Sequence, residues 1–328
     1  MIRSRISATL SSAMLSLAAA ALAAGTAAAQ PAKTECLAGA KPGGGFDLTC
    51  RLAGAALHAT KLIKDPMAVS YMEGGVGAVA YNHVVGTRPG DSGLVVAASS
   101  GSALLIAQGK FGKHDENAVR WVGALGADFG VIAVAPDSPI KTLKDLVAAY
   151  GKDPGAFPIG GGGAVGSQDW MKMALLAKEA KADPKKMRYA ALEGGGAVTT
   201  ALQGGHIKIA AGDASEMIAL HEQGKLRILA VMSERRLPGR FKDIPTTFEQ
   251  GYTIDWPIWR GLYVGPKVSD ADYNWWVDTL KKLKDSPEFI KEREARGLFA
   301  FDSIGADFEK RVKTDVARFK QLAKEAGL

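Results

Sequence analysis

Two cysteines in 328 residues, Cys36 and Cys50, are too few for a disulfide scaffold or a four-thiolate metal site. Five histidines, at 58, 83, 114, 206 and 221, show no ligand spacing. His221-Glu222 begins a zincin-like pattern, but Lys225 stands where the second histidine is needed. There is no Gly-x-Ser-x-Gly elbow and no P-loop, so the common hydrolase and nucleotide signatures are missing. The only apolar run long enough to matter for a membrane lies at the start, which excludes a polytopic membrane protein. Aromatic residues are scarce at 7%, whereas glycine is abundant at 39 residues without a collagen period, pointing to many tight backbone approaches. With 47% hydrophobic and 23% charged residues, the bulk of the chain is globular, with room for two α/β domains.

The first 29 residues read as a secretory signal peptide. Arg3 and Arg5 precede an Ala/Leu-rich stretch, and Ala27-Ala28-Ala29 forms a small-residue cleavage pattern before Gln30. A single membrane anchor is the competing reading, disfavoured because the run is short and alanine-heavy. No cysteine follows for lipid attachment, and the two arginines are not adjacent. Cleavage after Ala29 lowers the net charge of +7 by two. The remaining excess is spread among acids, as along Lys181–Arg188 and Lys281–Arg296. These are solvated helix faces, and no nucleic-acid partner is expected. A basic balance still favours an anionic ligand by long-range attraction.

From Cys36 onward, short β-prone runs alternate with amphipathic helical runs, which predicts an α/β chain with parallel sheets and helices on both faces. Strands are expected at Cys36–Ala40, Met67–Tyr71, Leu94–Ala98, Val131–Ala135, Phe157–Gly160, Met187–Ala190, Ile207–Ala211, Leu226–Met232 and Leu262–Val264. Beyond Asp270 the pattern is nearly all helical. Pro136-Asp137-Ser138-Pro139 and the passage Pro238–Pro257 are candidate crossings between lobes. They divide the mature chain into lobe 1, 30–135 plus 256–328, and lobe 2, 136–255. Such a chain places its ligand in the crevice at the carboxyl ends of its strands.

Four glycine- or serine-rich turns follow strands. Lys41-Pro42-Gly43-Gly44-Gly45-Phe46-Asp47 opens a helix, with Asp47 placed as its cap and bare N–H groups facing an anion. Gly160–Ser167 contains a Gly-x-Gly-x-x-Gly spacing, but no acidic strand end lies where a dinucleotide ribose needs one. It reads as a second anion nest, with the Ser167 hydroxyl as donor. Glu193-Gly194-Gly195-Gly196 and Ser99-Ser100-Gly101-Ser102 complete the set. Asp47, Glu193, Asp213 and Glu216 also lie at strand ends; acids repel a carboxylate, so capping and orienting the loops is their expected role. Export disfavours a free catalytic thiol. A Cys36–Cys50 bridge would enclose the first glycine turn, yet a strand-start and a helix-start pair can sit too far apart, so the residues leave the pairing open.

These turns resemble those of a known family. Pro42-Gly43-Gly44-Gly45-Phe46-Asp47-Leu48-Thr49, Tyr71-Met72-Glu73-Gly74-Gly75-Val76-Gly77, Asp137–Leu146, Gly166-Ser167-Gln168-Asp169, Glu193-Gly194-Gly195, Gly204-Gly205-His206, Gly224-Lys225-Leu226-Arg227 and Ile244–Glu249 run in the family's order over essentially the whole mature chain. The family is that of the periplasmic substrate-binding receptors of tripartite tricarboxylate transporters, the Bug-type receptors. The form Gly-Gly-Gly-Phe-Asp-Leu-Thr-Cys-Arg at 43–51 resembles the citrate-type branch most.

The resemblance implies a type II periplasmic-binding fold with a hinged cleft and a non-catalytic receptor for a small tricarboxylate. Cofactors are not expected. The partners implied are the ligand and the integral-membrane transporter subunits, with the receptor a monomer. Carried over by position, ligand contacts fall on Gly44, Gly45, Phe46 and Asp47, on Ala164, Gly166, Ser167 and Asp169, and on Glu193, Gly194, Asp213 and Ser215. The turn after Leu94–Ala98 adds Ser100 and Ser102. Arg260 departs from many relatives; a structural salt bridge is its first reading, neutralising an extra carboxylate its second. Another carboxylate, an exported carboxylate-processing enzyme and a sensor subunit are the alternatives.

Overall fold

The computed structural model describes residues 30–31 and 33–325; the leader read over 1–29 lies outside the described residues. The chain opens with β1 (Glu35–Ala38), α1 (Gly45–Ala59), β2 (Ala68–Tyr71), α2 (Ala78–Thr87), β3 (Leu94–Ser99) and α3 (Ser100–Ala107). Then come β4 (Arg120–Val134), α4 (Leu143–Lys152), β5 (Ile159–Gly162), α5 (Gln168–Glu179), β6 (Tyr189–Leu192), α6 (Gly195–Gln203), β7 (Ile209–Asp213), α7 (Ala214–Glu222) and β8 (Arg227–Val231). β9 (Pro257–Val264), α8 (Asp270–Lys284), α9 (Pro287–Ala295) and α10 (Ala306–Glu325) close it. Many helix starts are written locally. Ser99 and Thr142 head capping boxes, Ser167, Ser269 and Ser286 accept a first-turn N–H, and Pro287 follows Ser286.

The sheet order is β2-β1-β3-β9-β4-β7-β5-β6, with β8 also on β4. Pairs within β2-β1-β3 and within β7-β5-β6 are parallel, as read. The middle corrects the expectation of parallel sheets: β3–β9, β9–β4, β4–β7 and β4–β8 are all antiparallel. β4 is also far longer than the Val131–Ala135 expected. Its Arg120–Phe129 half pairs with β9, and its Gly130–Val134 half pairs with β7 and β8. Glycines at 123, 126 and 130 and the acid at 128 hide this strand's periodicity. A β-carbon on Gly126 would lie 3.0 Å from the Phe299 carbonyl, so the backbones meet where a side chain would stand.

Two features tie the first strand group together. Cys36 in β1 and Cys50 in α1 form a disulfide at a Cα–Cα distance of 5.4 Å, which answers the question of reach. With its ends 14 positions apart, the bridge contributes about 3 kcal/mol by restricting the unfolded chain. Reduction, or Cys50→Ser, should lower the denaturation free energy by that amount; equal urea midpoints for the oxidised and reduced protein would refute it. The other feature is α10, whose Phe308, Val312, Val316 and Phe319 form one buried stripe. Phe308 meets Trp259 edge to face at 5.0 Å, and Trp259 donates its indole N–H to Asp315 at 2.9 Å.

Candidate functional site

The turns at the carboxyl ends of β1, β3, β5, β6 and β7 converge on one cavity of about 50 Å³. Gly39, Ala40, Gly45 and Phe46 line it after β1, and Ser99 at the end of β3. Gly162, Gly163, Gln168 and Asp169 follow β5, Leu192–Gly195 follow β6, and Asp213 with Glu216 follow β7. Arg260 of β9 and Val76, held at φ 52°, complete the wall. The two glycine turns face each other closely: a β-carbon on Gly44 would lie 3.3 Å from the Gly195 nitrogen. Gly44 and Gly194 are N-caps without side-chain caps, so the first N–H groups of α1 and α6 open into the same space.

Behind this wall lies a buried ionic cluster. Arg260, 2% exposed, donates to Asp128 and to Asp213, each at 2.6 Å. Lys172, fully buried, donates to Asp169 at 2.7 Å, to Asp213 at 2.6 Å and to the Gly212 carbonyl at 2.8 Å. Asp169 also accepts from the Gly162 N–H at 2.7 Å, which fixes the glycine turn. Burial alone would raise the Asp213 carboxyl, but Lys172 and Arg260 beside it outweigh burial and hold it below its ordinary value. At Asp169 burial wins over Lys172, and its carboxyl is raised. Gln168 gives its amide N–H to Asp213 at 3.1 Å, which leaves Oε1 buried and without a partner. That orientation is forced, because a carboxylate accepts only from the amide nitrogen.

Gly45, Phe46, Asp169, Glu193, Gly194, Asp213 and Arg260 from the sequence reading line the cavity, and Gly44 stands at its edge. The others sit behind it. Asp47 is the third helical residue, not the cap; it accepts from the Gly43 N–H at 2.8 Å, Arg51 at 2.8 Å and the Tyr71 hydroxyl at 2.7 Å. Ser100 accepts from the Trp259 N–H at 2.9 Å, and Ser102 belongs to the α3 capping box. Ala164 and Gly166 lie outside the lining; the Gly166 carbonyl accepts from Gln108 at 2.8 Å. Ser215 donates its hydroxyl to Asp128 at 2.6 Å. Arg260 is ion-paired, as its first reading had it, and it also faces the cavity. The sequence points to Glu216 only as a loop-orienting acid and to Gln168 only as part of the motif at 166–169, and it gives Lys172 and Asp128 no role. The signal for Lys172 and Asp128 was a lone charge inside an apolar run, 170–177 and 121–134.

The sequence matches the profile of the tripartite tricarboxylate transporter family receptors, TctC, over residues 55–328. The chain belongs to this family. The receptor is 31% identical over 169 residues to a Cupriavidus necator protein described as a UPF0065 protein in the gbd 5' region, covering 51% of the receptor and 49% of that protein. It thus spans about half the length of the curated relative it matches. Its fold resembles that of the periplasmic binding protein BugD, with TM-score 0.81, 18% identity and coverage of 90% and 98% of the two chains. MatC from Rhodopseudomonas palustris, solved with bound malate, gives TM-score 0.78, 17% identity and coverage of 88% and 98%. The α/β fold that the resemblance implied is the one observed. Within the receptor, Ser167 caps α5 by accepting the Trp170 N–H and lies 3.3 Å from the Tyr189 hydroxyl, outside the cavity lining. Ser167→Ala should therefore cost about 1 kcal/mol of stability and leave affinity for a captured solute within twofold. Calorimetry showing a tenfold loss would put the hydroxyl in the site.

Proposed function

We propose that the receptor is an exported, non-catalytic binding protein that captures a small hydroxy-carboxylate between two lobes and delivers it to membrane subunits. The observation that carries this reading is the meeting of the α1 and α6 N-termini, from separate parallel strand groups, at one backbone-lined cavity. Such N–H groups receive an anion without a dedicated cation. The lobes are close to those read from the sequence, 30–135 plus 256–328 and 136–255, but we move the first boundary back to where β4 changes partners, between Phe129 and Gly130, and keep the second just before β9. Opening there gives the solute access; closing forms the state a membrane partner recognises. Among the described residues no helix is long and apolar enough to cross a membrane.

We assign the solute hydroxyl to Gln168 Oε1, a buried acceptor without a partner on a residue that lines the cavity. Citrate and malate both offer a hydroxyl, and MatC was solved with malate. The resemblance at 43–51 favours citrate; the acids around the cavity favour fewer solute charges. Calorimetry with citrate, malate and succinate separates these readings. Malate should bind about 5- to 160-fold more tightly than succinate, which lacks the hydroxyl, as follows from about 1–3 kcal/mol for a buried partner. Binding of none of the three, or equal binding of malate and succinate, would defeat the hydroxy-carboxylate reading.

A further inference from the structure

The cavity already holds a carboxyl group, and it belongs to the protein. Glu216, in the first turn of α7, reaches across to α1 and accepts the Gly45 N–H on Oε1 at 2.5 Å. Its other oxygen rests on α6: a β-carbon on Gly195 would lie 1.9 Å from Oε2. The side chain is 6% exposed. One carboxyl group therefore lies between two helix N-termini, the place where a captured carboxylate gains most from unpaired N–H groups. Arg260 stands 4.0 Å from Oε1 but is committed to Asp128 and Asp213. Asp213, Asp169 and Asp128 are the other charges acting on this group, all opposing its ionised form, and Gln168, which also lines the cavity, holds Oε1 buried without a partner.

We propose that Glu216 is a resident occupant of the carboxylate seat, and that the solute must displace it to be captured. The inference rests on the carboxylate-receptor reading above and adds a residue that sets affinity and selectivity within it. A solute whose carboxylate reaches both Gly45 and Gly195 takes over the contacts Glu216 gives up, so weak or badly shaped anions lose to the internal competitor. The two glycines are required for the same reason: a side chain at either would occupy the space of Arg260 or Glu216. The seat is thus built for one carboxyl group at a time.

Glu216→Ala should leave a hole of carboxylate size, and a free carboxylate should refill it. Acetate at tens of millimolar should raise the thermal midpoint of Glu216→Ala and leave the wild type and Glu216→Gln unmoved, because glutamine keeps the seat filled. Hydrogen exchange over residues 43–46 should be fast in Glu216→Ala and slow again with acetate. In the second arm, malate should bind Glu216→Ala at least tenfold more tightly than the wild type, with Glu216→Gln close to wild type. No acetate effect on Glu216→Ala, or malate binding weakened by the alanine, overturns the proposal, the latter by making Glu216 a ligand contact. Acetate rescue with neither malate nor citrate binding any variant would sustain the seat and sink the solute class instead. Malate binding to the wild type without acetate rescue would do the reverse.

Discussion

Arg260→Leu should destabilise the receptor by about 3–5 kcal/mol, as removal of one partner from a buried ion pair does. The guanidinium is 2% exposed and serves two carboxylates, Asp128 at 0% and Asp213 at 3% side-chain exposure. Leucine restores some packing volume but donates nothing, so both acids lose a buried partner. Asp213 would keep Lys172. Asp128 would keep no cation, only the Ser215 N–H and hydroxyl at 3.1 and 2.6 Å and the Phe129 N–H at 2.9 Å. The loss also propagates, because Asp128 is in β4, Asp213 ends β7 and Arg260 is in β9, the strands that join the two parallel groups. Urea denaturation of both proteins at neutral pH measures this; a difference under 1 kcal/mol would mean that the cluster is no more than break-even. Arg260→Lys should recover only part, since one ammonium cannot reproduce the fork that holds Asp128 and Asp213 together.

The second large effect is a pH dependence carried by Glu216. Burial pushes its carboxyl up to about 8 from an ordinary 4.5, with Asp213, Asp169 and Asp128 adding to the rise and Arg260 opposing it. A group raised on folding stabilises fully below its unfolded value and loses that contribution as pH climbs through the folded one. Stability from this group should therefore decline from about pH 4.5 to about 8, by at most roughly 1.4 kcal/mol per pH unit. Asp213, lowered on folding, works in the opposite sense, but its contribution is lost only as pH falls through its depressed value. Glu216→Gln keeps an acceptor for the Gly45 N–H and cannot ionise. It should flatten the profile and be the more stable protein at pH 8.5, by an amount on the order of 4 kcal/mol. Parallel stability profiles for wild type and Glu216→Gln between pH 5 and 8.5 would show that Glu216 does not carry the titration.

Much of the cavity wall is legible in the sequence because its determinants are local. The glycine turns at Gly43–Gly45 and Gly194–Gly196 lie directly beside the helices they open. The helix starts at Thr142, Ser167 and Ser286 are likewise spelled by residues within one turn of the element they begin. What stayed hidden was which of the acids near the turns faces the cavity. Asp47 and Glu216 look alike in sequence, each an acid in the first turn of a helix after a strand. Asp47 folds back on its own loop and on Tyr71, whereas Glu216 reaches a residue 171 positions away. No pattern within a short window of sequence separates the two.

By itself the sequence determined the β-α alternation, the glycine turns that leave helix N–H groups uncapped, and the family, since periodicity, capping and turn chemistry act over a few residues. Only the tertiary structure decided that β4 runs through both strand groups, that Cys36 and Cys50 come within bonding reach, and that Arg260, Lys172, Asp128 and Asp213 satisfy one another. It also decided that Glu216 reaches across to the Gly45 N–H. These outcomes depend on strand partners and on desolvation. The hydrogen bonds that join Lys172 to Asp213, Arg260 to Asp128 and Gly45 to Glu216 span 41, 132 and 171 positions, and a charge loses its water only once the surrounding chain has packed against it.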